Sequence, residues 1–188
     1  DAVEGTVGPE FVAIDIGCGP RAIARRITDR FPLARVIAVD LDPVLLAIAR
    51  ATHGDAGARI RWLNASLRDD TWPSALPLAE LGVEHVDAAL SSTAIHWLHS
   101  GEIVDLYRQL ARLVRPGGVV VNGDHMQYGP ARPTLRRRAD EWRARQLEAG
   151  RATGSDTWEQ WWLGVRADSQ LAQLLEERRA SGGREFLA

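Results

Sequence analysis

The residues whose types and spacing most directly imply chemistry are Asp15-Ile16-Gly17-Cys18-Gly19-Pro20 and Asp40. The first group lies where an apolar run gives way to a helical pattern. A main chain bare of side chains there can approach a ligand closely, and the following helix N-terminus offers free N–H groups. Asp40 closes the next apolar run, about 20 residues beyond Gly19, the offset at which a carboxylate can accept hydrogen bonds from both hydroxyls of a ribose. Together they point to a nucleotide-like ligand.

Two ligand classes fit that geometry. Gly17-Cys18-Gly19-Pro20-Arg21-Ala22 satisfies the loose glycine pattern of dinucleotide-binding oxidoreductases, so an NAD(P)-dependent reaction is one reading. Asp15 favours the other, because its negative charge would repel a pyrophosphate but suits the amino and sulfonium cations of S-adenosylmethionine.

These residues need elements to position them. Phe11 to Ile16, Arg35 to Val39, Ile60 to Asn64, His85 to Leu90 and Gly118 to Val121 are short and rich in Val, Ile and Ala, the pattern of strands buried on both faces. Helices are expected between them over Ala22 to Arg30, Pro43 to His53, Ser74 to Leu81 and Glu102 to Val114. The last has Ser100 as N-cap and Pro116-Gly117-Gly118 as its stop. Strand alternating with helix gives right-handed βαβ units and a doubly wound parallel sheet, an α/β fold.

The final third changes character and reads as two helices. One is Thr134 to Glu148; the other opens at Asp156-Thr157-Trp158-Glu159, a capping-box pattern, and sets Trp158, Trp161, Trp162 and Val165 on one face. The expected organisation is a core over residues 1–130 and a helical, substrate-covering lid over 131–188, with Trp158 and Trp162 supplying apolar walls.

Composition narrows the classes. The chain has 188 residues, 45% hydrophobic and 26% charged, which is ordinary globular usage. A net charge of −2 offers no field to recruit nucleic acid or a membrane surface. All 23 basic residues are arginine, so lysine nucleophiles and lysine-type phosphate loops are excluded. Cys18, the single cysteine, can neither form an internal disulfide nor build a cysteine-rich zinc site, which fits a reducing cytoplasm; no metal is expected. Nothing in the sequence sets the oligomeric state, and a homodimer is compatible with it.

Five segments in order resemble the class I S-adenosylmethionine-dependent methyltransferases, especially the small-molecule type similar to trans-aconitate methyltransferase. They are Val12 to Pro20, Val36 to Pro43, Ile60 to Asp69, Val86 to Leu98 and Leu113 to Gly118. The resemblance implies that Asp15, Gly17 and Gly19 hold the methionine end of the cofactor and Asp40 the ribose. It also implies Leu41 against the adenine face, Ser66 and Leu67 at the adenine edge, and Ser91 beside the sulfonium. Arg21 stands where the family has a third glycine, and Ser66 where it has an aspartate. The family's sixth and seventh strands are missing from the pattern, and a methyltransferase-like binding protein without activity is a third reading.

For the reaction itself, the resemblance places His96 in the segment facing the transferred methyl. Histidine changes charge near neutral pH and could take a proton from an attacking hydroxyl. Trp97 would wall the substrate pocket, and His125, just past the fifth strand, would line the same edge. No Asn-Pro-Pro-Tyr motif of the kind used on nucleic-acid bases is present. The expected acceptor is therefore a small molecule, methylated by in-line displacement.

Overall fold

A computed structural model describes residues 5–20, 23–124 and 128–180. Five strands form one sheet: β1 (Val12–Ile16), β2 (Arg35–Asp40), β3 (Ile60–Asn64), β4 (Val86–Ser92) and β5 (Val114–Gly123). Their spatial order is β3-β2-β1-β4-β5 and every pairing is parallel. The order reverses between β1 and β4. In open parallel sheets the crevice for a ligand forms at such a point, outside the carboxyl ends of the strands.

The two faces of β1 show why the sheet is covered on both sides. Val12, Ile14 and Ile16 belong to one buried cluster with Trp72, Leu76, Leu106 and Leu110. Ala13 belongs to another with Ala24, Ile27 and Leu46. Helices α1 (Ile23–Arg30) and α2 (Pro43–His53) therefore cover one face and α3 (Ser100–Leu113) the other. Alternating side chains of buried parallel strands demand this doubly wound arrangement.

The sequence pattern misplaces several boundaries. The helix expected over Ser74 to Leu81 is only a short 3-10 turn at Trp72–Ala75, because Pro77 would interrupt any continuation. Helix α3 starts at Ser100 rather than Glu102, and His99 rather than Ser100 is its N-cap: the His99 N–H donates to Glu102 Oε2 at 2.7 Å. Pro116-Gly117-Gly118 does not separate helix from strand; it lies inside β5, which starts at Val114. There the register against β4 shifts between Val86 and Ala88, and a Cβ on Gly118 would meet the Asp87 carbonyl oxygen at 2.6 Å. A proline is tolerated at such an irregularity.

Two compact units are present, Asp1–Asp124 and His125–Ala188. The second unit is helical: α4 (Pro133–Ala152), α5 (Trp158–Ala167) and α6 (Ala172–Ala180). Helix α6 was not expected; its Ala, Leu, Glu and Arg content favours helix although its two sides differ little in polarity. Helix α5 is capped one residue later than the sequence suggests, since Thr157 accepts from Gln160 N and the Gln160 side chain accepts from Thr157 N. No described helix is long and apolar enough to cross a membrane.

Candidate functional site

The end of β1 bends back at Gly17 and Gly19, both in the left-handed region at φ +62° and +53°. Gly17 is required twice over, because a Cβ there would also collide with the Ala94 Cβ. Gly19 differs: among the described residues nothing lies within 4 Å of the position its Cβ would take. That open space is the kind of surface a ligand can reach without meeting a side chain. Cys18 ties the bend to the neighbouring strand by donating its N–H to Val39 O at 3.0 Å. Its own thiol is buried and pushed far above the ordinary range, so it is not a nucleophile.

Asp40 sits at the carboxyl end of β2, beside the bend. Its Oδ2 accepts the Gly19 N–H and its Oδ1 the Asp42 N–H, both at 2.8 Å. A carboxylate oxygen can accept more than one hydrogen bond, so a diol remains within its capacity. Burial pushes this carboxyl up to about 6, against the pull of the bonds from Asp42 and Gly19. Asn64, directly opposite Asp40 in the register, donates Nδ2 to Asp40 O and Leu41 O at 3.0 and 2.8 Å. Leu41 is thereby held, half-buried, next to the acid. Sequence reasoning missed Asn64, although it ends β3 as Asp40 ends β2.

Asp15 lies deeper. It is 1% exposed and its Oδ2 accepts the Ala24 N–H at 2.8 Å, so it caps the start of α1 instead of opening onto the rim. The residue that anchors the helix N-terminus is thus one layer beneath the bend. Burial pushes its carboxyl up to about 7, with repulsion from Asp40 adding and the Ala24 and Ile23 N–H groups subtracting. Ser91 is likewise buried, and its hydroxyl donates to Ile16 O at 3.0 Å, stitching β4 to the last residue of β1. Ser66 and Leu67 follow β3; the Ser66 hydroxyl accepts the Arg68 N–H at 3.3 Å, and Leu67 leans on the core.

A pH experiment separates the helix-capping carboxyl from its charge. In the unfolded chain Asp15 titrates near 3.8, in the folded chain near 7, so between these values the folded state binds more protons. Its contribution to stability is complete below about 4 and is lost as pH rises through about 7. Asp15→Asn keeps an acceptor for Ala24 N and removes the titration. Its melting temperature is expected to gain on the wild type as pH rises across that window, and parallel curves for the two proteins would refute the assignment.

At the end of β4 the chain turns sharply. Thr93 adopts φ +54°, rare for a residue with a side chain, and its N–H donates to Gly123 O at 3.2 Å. Ala94 then covers Gly17, and His96 and Trp97 follow on a 3-10 turn, their rings 4.9 Å apart. His96 and Trp97 are exposed. Asp124, immediately after β5, accepts the His96 N–H at 2.9 Å and lies 2.6 Å from His96 Nδ1. Sequence reasoning did not single out Asp124, although it is another acid following an apolar strand. On the other side, Arg68 donates to Trp97 O at 2.9 Å while paired with Glu102.

His125 lies outside the described residues. Trp158 and Trp162 belong to the second unit, where Trp158 stacks on Trp161 at 5.1 Å and meets Trp162 edge-on at 5.7 Å. Trp162 is buried beneath the Arg178 guanidinium, 4.5 Å from its ring centre, whereas Trp158 is 42% exposed. Trp162 therefore packs that unit's interior. Among the described residues no cluster of three or more His, Cys, Asp or Glu is arranged to hold a metal ion.

Comparison with known proteins agrees with this geometry. A family described as methyltransferase domain matches residues 13–118. The chain is 31% identical over 133 residues to a trans-aconitate 2-methyltransferase from Azoarcus sp. (strain BH72), covering 70% of this chain and 46% of that protein. It is 32% identical over 108 residues to a malonyl-[acyl-carrier protein] O-methyltransferase from Hahella chejuensis, covering 57% of this chain and 34% of that one. The chain spans less than half the length of these relatives. Among solved structures, an O-methyltransferase family protein from Burkholderia thailandensis superposes with a TM-score of 0.52 at 22% identity, over 68% of this chain and 37% of that one. The complex titled DhpI-SAM-HEP gives 0.52 at 18% identity, over 70% and 54%. Five parallel strands, a glycine bend under a strand-ending aspartate, and a match over more than half of the sequence lead to one conclusion: the chain belongs to the methyltransferase domain family and has its class I, Rossmann-like, S-adenosylmethionine-dependent fold.

Proposed function

We propose that this chain binds S-adenosylmethionine at the carboxyl rim between β1 and β4 and transfers its methyl group to a small-molecule acceptor. The observation that carries the reading is Asp40, a buried carboxylate held at the rim by Gly19 and Asp42 N–H groups, beside the open space over Gly19. The residues fit the cofactor. Asp40 has acceptor capacity for a ribose diol, and half-buried Leu41 offers an apolar surface to adenine with Ser66 and Leu67 at its edge. Gly19 bares the main chain for the methionine end, Gly17 lets the chain bend beneath Ala94, Ser91 ties β4 to the end of β1, and Asp15 caps the helix that follows the bend.

Bound S-adenosylmethionine supplies a methyl carbon made electrophilic by the adjacent sulfonium. This chain's own contribution is chiefly alignment, since holding nucleophile and carbon in line supplies much of the acceleration in such a displacement. His96 stands on the segment that covers Gly17 and serves as the group that removes a proton from the acceptor, with Trp97 as an apolar wall. The setting is the cytoplasm.

Melting curves test the cofactor directly. S-adenosylhomocysteine at 100 times its Kd should stabilise the chain by about 2.7 kcal/mol, and NADH should leave the melting temperature unchanged. A shift with NADH alone would make the chain a nicotinamide enzyme, and no shift with either ligand would leave only a scaffold role.

A further inference from the structure

We propose that His53, the last residue of α2, is a positioning residue for the cofactor: its ring holds the Pro20 carbonyl and so keeps the glycine bend in the form that receives the methionine end. This rests on the reading of the site above.

The bend needs restraint from outside. Gly17 and Gly19 both hold positive φ, and a residue without a side chain can leave such a conformation for others at little steric cost. Three hydrogen bonds oppose that freedom, on three successive residues. Cys18 N–H donates to Val39 O at 3.0 Å, Gly19 N–H donates to Asp40 Oδ2 at 2.8 Å, and Pro20 O lies 3.0 Å from His53 Nε2. The first two come from β2 and fix the middle of the bend. Proline has no N–H, so its carbonyl is the group through which a hydrogen bond can fix the exit. A carbonyl oxygen only accepts; Nε2 therefore carries the proton, and the neutral ring is the Nε2–H tautomer.

His53 is itself held in place. Its carbonyl accepts Arg25 Nη1 from α1 at 3.3 Å, and the Arg25 guanidinium is fixed by Asp29 at 2.9 Å. Gly54, which follows, donates its N–H to Arg50 O at 2.9 Å, and its carbonyl accepts Trp62 Nε1 from β3 at 3.1 Å. Arg50 in turn donates to Trp62 O at 3.1 Å. The end of α2 is thus tied to α1 and β3, and the half-buried ring reaches Pro20 from a fixed backbone. A side chain supported in this way can hold a ligand loop in one geometry. Closing the helix does not need the ring, because the Gly54 N–H does that through main-chain atoms.

One neutral hydrogen bond biases a conformational equilibrium by roughly two- to tenfold. Without the ring's donor the bend occupies its receiving form for only part of the time, and the apparent Kd rises by the inverse of that fraction.

The test is titration calorimetry with S-adenosylhomocysteine on the whole chain and three variants. His53→Leu should raise Kd roughly fivefold or more. His53→Gln, whose side-chain N–H stands the same number of bonds from the backbone as Nε2, should bind within about twofold of wild type. Arg35→Gln is the control for lost stability: it breaks a bond of the same kind, Arg35 Nη1 to Leu81 O at 2.7 Å, at the first residue of β2. It should melt lower and bind S-adenosylhomocysteine as wild type does. Nitrogen-15 NMR of the wild type at pH 8 should show the Nε2–H tautomer for His53, a readout that needs no variant to fold. The proposal is overturned by a His53→Leu protein with unchanged Kd, by His53→Gln binding as weakly as His53→Leu, by Arg35→Gln losing as much affinity as His53→Leu, or by an Nδ1–H tautomer. Absence of S-adenosylhomocysteine binding by the intact chain would overturn the underlying reading instead.

Discussion

Asp40→Ala is expected to weaken S-adenosylhomocysteine binding about 100-fold or more, measured as Kd by titration calorimetry. A hydrogen bond to a charged group contributes about 1.5–3 kcal/mol, and the carboxylate is placed to accept two from a ribose, so at least ~3 kcal/mol is at stake. Stability should fall less than affinity. Removing the side chain leaves the Gly19 and Asp42 N–H groups without their 2.8 Å partner, which costs about 1–3 kcal/mol if water cannot replace it. It also removes a carboxyl that burial pushes up to about 6 and relieves the repulsion this acid exerts on Asp15. These effects oppose each other. A folded variant with nearly wild-type melting and a collapsed affinity is the expected outcome, and unchanged affinity would remove Asp40 from the ribose site.

The place of Asp40 beside the glycine bend was legible in the sequence because it follows from local order: an apolar run, a terminal acid, and a fixed offset from a pair of glycines. The same holds for Gly17 and Gly19, whose positive φ values are what that residue type permits. Asp15 was only half legible. Its acidity and position could be read, but whether a strand-ending acid faces the rim or the next helix depends on which N–H groups lie within reach, and here Ala24 N lies within reach. The His96–Asp124 pair was not legible at all. The two residues are 28 apart and meet because β4 and β5 run parallel, with Ser92 opposite Gly123. Pairing of that kind is set by register, which a single sequence does not display. Boundaries failed where backbone chemistry overrode composition, as at Pro77, or where an irregular strand absorbed a Pro-Gly-Gly stretch that reads as a stop.

Gly17→Ala carries the second large effect, and its contrast with Gly19→Ala separates folding from binding. Both glycines hold positive φ, so each substitution pays about 1 kcal/mol or more in backbone strain. Only at Gly17 does the new methyl also strike the Ala94 Cβ, and relieving that overlap forces apart β1's bend and the turn that carries His96. Overpacking of this kind costs about 1–3 kcal/mol on top of the strain. A total of roughly 2–4 kcal/mol corresponds to a fall of about 4–16 °C in melting temperature for a chain of this size. Gly19→Ala should melt within a few degrees of wild type, since no described residue lies within 4 Å of its added methyl, yet it should lose S-adenosylhomocysteine affinity, because that methyl enters the space assigned to the ligand. The clash has its own control: Ala94→Gly placed in the Gly17→Ala background should recover the overpacking part of the lost stability and leave the strain. If Ala94→Gly recovers nothing, the two segments do not touch as described, and His96 loses its place beside the bend.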